Sequence, residues 1–270
     1  MYQTLLLEPI ANGLIVFYKA FGGNMGLAII GFTLLLRILL NPLTKPYLES
    51  MKKMKELQPQ LEKLKKKHKD DKQKQMQAQA DFYKEKGVNP GAGCLPMILQ
   101  LVVLYAFFGV FSRTLAPGVD PVTSFNELLY VPLQFTEGVS LNTSFLYLDV
   151  TQPDVFNVPG LPFPLPGPFL ILAAIIQLVS AKISAPYIEA QEKAAKKTKG
   201  EADDMQVAMQ QSMTYTFPLI TLLIGIRFSS ALVLYWLLFS LFQAYQQYKS
   251  SGWGGLTPWI EMLGLLNSQN

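Results

Sequence analysis

Long apolar stretches constrain the fold of this chain more than any other feature of its sequence. The hydrocarbon core of a bilayer is about 30 Å thick, and a helix of ~20 mostly apolar residues crosses it. Such stretches lie at 26–43, 95–115, 169–188 and 214–248. The last of them is too long for one crossing and is interrupted at Arg227. The sequence therefore predicts an all-α, polytopic membrane protein with five transmembrane helices and a cytoplasmic helical hairpin.

The distribution of charge predicts how these helices are oriented. Only 16% of the residues are charged, compared with about 25% in an ordinary soluble domain. Lysines are concentrated in 46–88 and recur in 189–212, whereas 117–167 contains no Lys or Arg. Because basic loops remain on the cytoplasmic side of a membrane, the pattern predicts an outer N-terminus and a cytoplasmic C-terminus.

These boundaries divide the chain into nine predicted segments. They are an outer interfacial helix (1–23), the first transmembrane helix (24–45), a basic cytoplasmic hairpin (46–88), the second transmembrane helix (94–116), an outer loop (117–167), the third transmembrane helix (168–188), a cytoplasmic loop (189–212), the fourth and fifth transmembrane helices (213–248) and a cytoplasmic tail (249–270). Gly22 and Gly23 separate the interfacial helix from the first span, although a continuous extension of that span is the alternative. The N-terminus lacks the basic region and cleavage site of a secretory signal and resembles no transit peptide. We therefore expect a multi-pass protein of a bacterial plasma membrane.

The basic segment 46–88 has the pattern of two antiparallel helices. Met51, Met54, Leu57, Leu61 and Leu64 recur at spacings of three and four residues, as the apolar face of a helix does. A charged turn at 69–72 precedes a second helical stretch. The hairpin is either a solvated spacer or a docking surface, since polybasic segments beside a membrane attract both partner proteins and anionic headgroups.

Arg37 is the most informative single residue. It lies inside the first predicted span, where an arginine at the helix centre costs ~2.5–3.5 kcal/mol on insertion scales. The five spans contain no Asp or Glu to offset that cost. Arg37 must therefore face water, backbone carbonyls or a visiting group, unless its side chain reaches the cytoplasmic interface, as long basic side chains can.

Polar side chains in the other spans predict a wet, positively charged cavity around Arg37. Thr33 precedes Arg37 by one helical turn, on the same face. The other spans contribute Gln100, Gln177, Ser180, Thr214, Thr216, Ser240 and Gln243. Hydrogen bonding between helices is the alternative use of each of these residues, and packing is the alternative for Tyr235 and Trp236.

The sequence argues against an enzyme. Its one histidine, His68, lies in the basic hairpin, and its one cysteine, Cys94, opens the second predicted span. A zinc site of the usual ligands, a histidine-dependent serine protease and a phosphate-binding loop each require residues or motifs that are absent from the sequence. We therefore predict no metal and no cofactor.

Short motifs in a fixed order resemble the YidC family of membrane protein insertases. The most specific is NPGAGCLPMILQ at 89–100. The others are TLLLR at 33–37, NPLTK at 41–45, LQP at 57–59, DDKQ at 70–73, MQQ at 209–211, FP at 217–218, LVLYW at 232–236 and QQ at 246–247. The resemblance covers roughly residues 26–247.

This resemblance implies a groove that opens to the cytoplasm and to lipid and is closed on the outer side. In the family, the arginine at the position of Arg37 helps to receive acidic or polar parts of an incoming protein. The residues matching Thr33, Tyr235 and Trp236 belong to the groove or contact the substrate. Together with two polar residues of the other spans, the predicted substrate-binding groove comprises Arg37, Thr33, Gln100, Gln177, Tyr235 and Trp236.

Some features depart from the family pattern. Gln177 lies five residues before Lys182 rather than beside it, and Phe228 is followed by serine where relatives often have proline. No Lys or Arg follows Lys249, whereas many relatives have a long basic tail for the ribosome. The tail's Trp253 and Trp259 instead suggest a position at the inner membrane interface.

The resemblance also implies partners and a mode of action. These are nascent membrane proteins as substrates, the lipid bilayer, the Sec translocon and, with less support from the tail, the ribosome. A monomer without ATP hydrolysis of its own is expected. One rival hypothesis is a small-molecule or ion transporter, which the lack of an inverted repeat and of an intramembrane carboxylate disfavours. Another is a purely structural scaffold or assembly chaperone.

Overall fold

The protein is mostly helical in a computed structural model. The structure describes residues 2–68, 71–87, 94–136, 138–184 and 202–264. The basic loop residues 193–199, part of the motif at 89–100 and the side chain of Gln100 lie outside what is described. The described residues form two compact units, one of 1–37 with 104–270 and one of 38–103.

The helices have the following bounds. A π-helical turn, Gln3–Leu7, leads into α1 (Glu8–Ala20), which is followed by α2 (Met25–Lys67), α3 (Lys72–Glu85), α4 (Cys94–Thr114), α5 (Pro121–Asn126), a 3-10 turn (Val131–Leu133), α6 (Pro168–Ser184), α7 (Ala202–Gly225), α8 (Ser230–Ser251), a second 3-10 turn (Gly254–Leu256) and α9 (Thr257–Met262). Helix α2 is continuous from the first predicted span into the predicted hairpin.

The apolar helices differ in length. Among the described residues, one stretch, Met25–Leu43 of α2, is long and apolar enough to cross a membrane by length and composition. Three further apolar helices are shorter, namely Leu101–Thr114, Pro168–Ile183 and Thr214–Gly225. The count of five spans therefore stays a prediction.

The segment 117–167 contains strands, which the all-α prediction did not include. Strand β1 (Ser144–Phe145) pairs with β2 (Leu148–Asp149), and β3 (Val155–Phe156) pairs with β4 (Leu165–Pro166), both antiparallel. The physical reason is the proline content of this segment, because proline disfavours helix interiors but is tolerated in turns and short edge strands. The fold is thus mainly helical with two small β-hairpins.

Helices α6, α7 and α8 share an apolar core in the first unit. Leu170 and Ala173 of α6 pack with Val233 and Leu237 of α8, and Leu222 of α7 joins them. The contact between α6 and α7 is close at Gly225, where an added Cβ would collide with the side chain of Leu170. This core fixes the helices that carry several of the predicted site residues.

The second unit is built around a small core of its own. Leu61 of α2 and Tyr83 of α3 are buried, and Leu57, Leu64 and Phe82 pack against them. Asp71 caps α3 by accepting a hydrogen bond from the amide of Lys74. Exposed lysines lie along both helices, among them Lys52, Lys53, Lys63 and Lys67 of α2 and Lys74 and Lys84 of α3.

Candidate functional site

Arg37 lies within the apolar part of α2, and its guanidinium rests on an aromatic ring. Its Cζ is 3.5 Å from the ring centroid of Phe239 and 5.9 Å from that of Phe242, both in α8. A desolvated cation–π contact is worth about 2 kcal/mol or more, which is comparable to the cost of ~2.5–3.5 kcal/mol for an arginine at this depth. The ring therefore offsets much of that cost, a solution that sequence reasoning did not consider.

The aromatic residues near Arg37 are placed by helical periodicity. Tyr235, Phe239 and Phe242 are separated by four and three residues along α8, so they occupy one face of that helix. The rings of Tyr235 and Phe239 lie 6.2 Å apart, centroid to centroid. Sequence reasoning selected Tyr235 and missed the two phenylalanines, although the same spacing was visible in the sequence.

Tyr235 is packed rather than open. It is 2% exposed, and its ring stacks on that of Phe107 in α4, with centroids 4.3 Å apart and an interplanar angle of 19°. Phe107 in turn contacts Phe32 of α2 and Phe111 of α4. One face of the Tyr235 ring is therefore covered by protein and serves to join α4 and α8.

Trp236 points to other neighbours than Tyr235 does. Adjacent residues of an α-helix are about 100° apart around its axis. Trp236 is half-buried and meets Phe228 edge-on at 6.4 Å, and Phe228 meets Phe108 in the same way. The predicted pair is thus divided between two aromatic clusters.

Thr33 is a buried hydroxyl one turn before Arg37. It is 1% exposed, and its Oγ1 has no hydrogen-bond partner among the residues that the structure describes. Leaving a buried polar group unsatisfied costs ~1–3 kcal/mol. The hydroxyl of Thr33 is thus a buried polar group whose desolvation no described residue offsets.

Gln177 has a partner within the bundle. The hydroxyl of Thr221 in α7 donates a hydrogen bond of 2.7 Å to Oε1 of Gln177 in α6. This is the helix-to-helix bond that sequence reasoning gave as the alternative to a role in the cavity. Gln100 belongs to α4, but its side chain is outside the described part of the chain.

A second cation lies against aromatic rings at the end of α6. The Nζ of Lys182 is 4.9 Å from the ring centroid of Tyr215 in α7 and 5.1 Å from that of Trp259 in α9. Lys182 thus links α9 to the end of α6 and to the middle of α7. Within the described ranges, no three His, Cys, Asp or Glu side chains are grouped so that they could hold a metal ion.

The segment 117–167 is hydrogen-bonded to the starts of α6 and α8. Asp154, 2% exposed, accepts hydrogen bonds from the amide of Leu170 at 2.8 Å and from the hydroxyl of Tyr147 at 3.0 Å. The amide and hydroxyl of Ser230 both donate to the carbonyl of Gln152. These bonds fix the segment over the first turns of both helices.

Tyr147 reports the environment of that connection. Its ring is half exposed, but its hydroxyl lies between the carboxylate of Asp154 and the amide of Phe169. Partial burial and then the hydrogen bond to Asp154 raise the pKa of Tyr147 to about 12. The hydroxyl is therefore protonated at neutral pH, as the donor of the hydrogen bond to Asp154 must be.

Known proteins resemble this chain over most of its length. The sequence model of the 60Kd inner membrane protein family matches residues 16–251. The membrane protein insertase YidC of Fusobacterium nucleatum is 35% identical over 226 residues, which cover 84% of this chain and 85% of that protein.

Longer relatives match over a smaller part of their own length. Proteins with the same name from Caulobacter vibrioides and Roseobacter denitrificans are 43% identical over 138 residues and 34% identical over 239 residues, respectively. These alignments cover 46% and 87% of this chain, but only 22% and 35% of the two relatives.

Proposed function

The chain belongs to the 60Kd inner membrane protein family, and we propose that it is a membrane protein insertase. The names of its relatives support this activity. The observation that carries the mechanism is the pair formed by Arg37 and Thr33 in the apolar part of α2: a cation on an aromatic ring and, one turn away, a buried hydroxyl with no hydrogen-bond partner among the described residues.

In this proposal the chain crosses a cell membrane five times. The spans are 24–45, 94–116, 168–188 and the pair within 213–248. The concentration of lysine in 46–88 and its absence from 117–167 support a cytoplasmic hairpin and an outer loop. Thr33 and Arg37 then lie at bilayer depth, near the middle and toward the inner end of the first span.

The substrate is the polar end of a nascent membrane protein. A carboxylate at ~4 Å from Arg37 would interact with it by about 4 kcal/mol at an effective dielectric constant of 20, before desolvation is subtracted. The contact with Phe239 is worth about 2 kcal/mol. An acidic group of the client therefore competes with the ring of Phe239 for the guanidinium of Arg37. The guanidinium returns to the ring when the client leaves.

Thr33 lowers the cost of the polar backbone that accompanies such a group. A typical net hydrogen bond contributes ~0.5–1.5 kcal/mol, and more where one partner is otherwise unsatisfied. The client's apolar segment then leaves sideways into lipid, where the burial of apolar surface drives completion. No nucleotide is required for this sequence of steps.

The partners follow from the same topology. The charged faces of the hairpin formed by α2 and α3 give nascent chains, anionic headgroups or the Sec translocon a basic surface to dock on. The ribosome is a further candidate at this surface, and a monomer is sufficient because the residues of the mechanism come from one chain.

The decisive experiment is insertion by Arg37→Ala in proteoliposomes. The client is a short single-span protein with an acidic tail that must cross, and protease protection of that tail is the readout. We expect insertion to fall by roughly tenfold or more. The interaction of Arg37 with the client carboxylate, about 4 kcal/mol before desolvation, exceeds the ~1.4 kcal/mol that corresponds to a factor of ten. A client with a neutral tail should be affected much less.

Arg113→Ala is the matched control, since it removes the same charge from an exposed side chain at the end of α4. It should insert the acidic client as the unmodified protein does. Equal insertion of that client by Arg37→Ala and by the unmodified protein would show the proposed mechanism to be wrong.

A further inference from the structure

The hairpin formed by β3 and β4, residues 155–166, is apolar and exposed. Its sequence, VFNVPGLPFPLP, contains no charged residue. Five of its apolar side chains each leave between 38% and 56% of their surface exposed, namely Phe156, Val158, Leu161, Phe163 and Leu165. Large exposed apolar patches mark sites of interaction with proteins or membranes. We call residues 155–166 the proline hairpin.

The backbone of the proline hairpin is suited to a dry environment. Four of its twelve residues are proline, and proline has no amide hydrogen to satisfy. Its tip is a turn in which the amide of Leu161 donates to the carbonyl of Val158. Pro159 and Gly160, with φ +91° at the glycine, occupy the central positions that a type II turn favours. The four prolines therefore remove four amide donors that would otherwise have to be desolvated.

The position of the hairpin is fixed by the start of α6. Strand β4 ends at Pro166, and α6 begins at Pro168. Asp154, directly before β3, accepts from the amide of Leu170, and its carbonyl accepts from the amide of Gly167. Because α6 crosses the bilayer in the proposed topology, on which this inference rests, the hairpin lies where that helix leaves the membrane.

We propose that the proline hairpin inserts its apolar side chains into the outer leaflet of the membrane, at the boundary between headgroups and acyl chains. Its partner is phospholipid rather than protein, because the hairpin directly precedes the exposed apolar start of α6, where Ile171 and Leu172 are 43% and 44% exposed, and carries no charge that would orient a protein partner. The insertion anchors the outer loop and sets the depth of α6.

A single-cysteine chain tests this inference. Cys94 is the one native cysteine, so Cys94→Ser with Phe163→Cys gives one labelling site for an environment-sensitive nitrobenzoxadiazole dye. In vesicles of phosphatidylcholine and phosphatidylglycerol we expect emission at shorter wavelength than in water. Spin-labelled lipids with the nitroxide near the headgroup should quench the dye more than those with a deep nitroxide, and aqueous iodide should quench it little.

Ser140→Cys in the same background is the matched control, because this exposed residue lies elsewhere in the same loop. It should show water-like emission and strong quenching by iodide. If the dye at position 163 behaves as it does at position 140, the hairpin is in water and the inference is wrong. Protection from both iodide and spin-labelled lipid would indicate a protein partner and would also overturn it.

Client insertion measured in the same vesicles separates this inference from the proposed function. Lipid exposure at position 163 without insertion would remove the insertase proposal and leave the anchor in place. Normal insertion with a water-exposed hairpin would refute the membrane anchor and leave the insertase proposal in place. A chain with Phe156, Leu161 and Phe163 all changed to serine should remain folded while a dye at Val158→Cys loses its contact with lipid.

Discussion

The segment 117–167 and the surroundings of Arg37 treat buried polar groups in opposite ways. In the segment, the carboxylate of Asp154 is bonded to two donors from different elements. Beside Arg37, the hydroxyl of Thr33 has no hydrogen-bond partner within the described part of the chain. Buried polar groups are nearly always hydrogen-bonded, so the exception needs a reason. The difference is the one expected if the segment 117–167 is held by its hydrogen bonds while the proposed groove beside Arg37 takes a polar group of the client.

Asn12 shows how completely buried polar groups are hydrogen-bonded where α1 meets the segment 117–167. Its amide nitrogen donates to the carbonyls of Glu8 and Leu128, and its amide oxygen accepts from the amide of Tyr130. Both donor hydrogens and an acceptor site of this buried side chain are therefore used. Helix α1 is attached to the loop by these bonds rather than by apolar packing alone.

The largest effect on stability is expected from Asp154→Ala. It would leave the amide of Leu170 and the hydroxyl of Tyr147 without their carboxylate, and bonds to charged groups are worth ~1.5–3 kcal/mol each. We expect the free energy of unfolding in mild detergent to fall by about 3 kcal/mol. Asp154→Asn keeps one acceptor and should lose less. If the unmodified protein, Asp154→Ala and Asp154→Asn were equally stable, the hydrogen bonds of Asp154 would not hold the segment 117–167, and the two regions would not differ in this way.

A smaller effect is expected from Phe239→Leu, which keeps apolar volume but removes the ring under Arg37. The lost cation–π contact should lower the free energy of unfolding by about 1–2 kcal/mol. Phe242→Leu is the matched control, because its ring lies 5.9 Å from the guanidinium instead of 3.5 Å, and it should lose less than half as much. Equal losses would mean that apolar packing, and not the ring, is what matters at both positions.

The sequence predicted where Arg37 and Thr33 lie but not what surrounds them. Hydropathy and helical periodicity are local properties, so the span around Arg37 and the shared face of Thr33 follow from α2 alone. The ring of Phe239 comes from a helix about 200 residues later, and only tertiary packing brings the two together. The face of α8 that carries Tyr235, Phe239 and Phe242 could have been recognised, but not the helix that it meets.

The same limit explains the other differences. Gln177 and Thr221 are both polar residues in apolar helices. No local pattern in the sequence predicts the hydrogen bond between them. The strands of 117–167 are two residues long, too short for the alternation that identifies a strand. Polar residues within a bundle can therefore be found from sequence, whereas their partners cannot.

Two threonine-to-valine changes test the contrast directly, because both side chains are buried and, within the ranges that the structure describes, only the hydroxyl of Thr221 has a hydrogen-bond partner. Thr221→Val removes the bond to Gln177 and should lower the free energy of unfolding by about 1 kcal/mol, with little effect on insertion. Thr33→Val removes an unsatisfied hydroxyl and should raise that free energy by about 1 kcal/mol. It should also reduce insertion of the acidic-tailed client.

The signs of these two changes matter more than their sizes. Thermal unfolding in one detergent and client insertion in one lipid mixture give one stability value and one insertion value for each variant. The two stability values should move in opposite directions. If Thr33→Val destabilised the protein as Thr221→Val does, the hydroxyl of Thr33 would be bonded in the folded state. The buried polar groups near Arg37 would then be as fully hydrogen-bonded as those of the segment 117–167.

The smallest effect is a dependence on pH that only the closed region should show. Asp120 caps α5, and hydrogen bonds from the hydroxyl and then the amide of Thr123 hold the pKa of its carboxyl below the usual value. A depressed folded pKa stabilises above the unfolded pKa of about 3.9, and this contribution is lost as pH falls through the folded pKa. The hydrogen-exchange protection factor of the Thr123 amide should therefore decrease in acid. Asp120→Asn keeps a favourable cap and should show no such decrease, while the difference between the two threonine variants should not depend on pH.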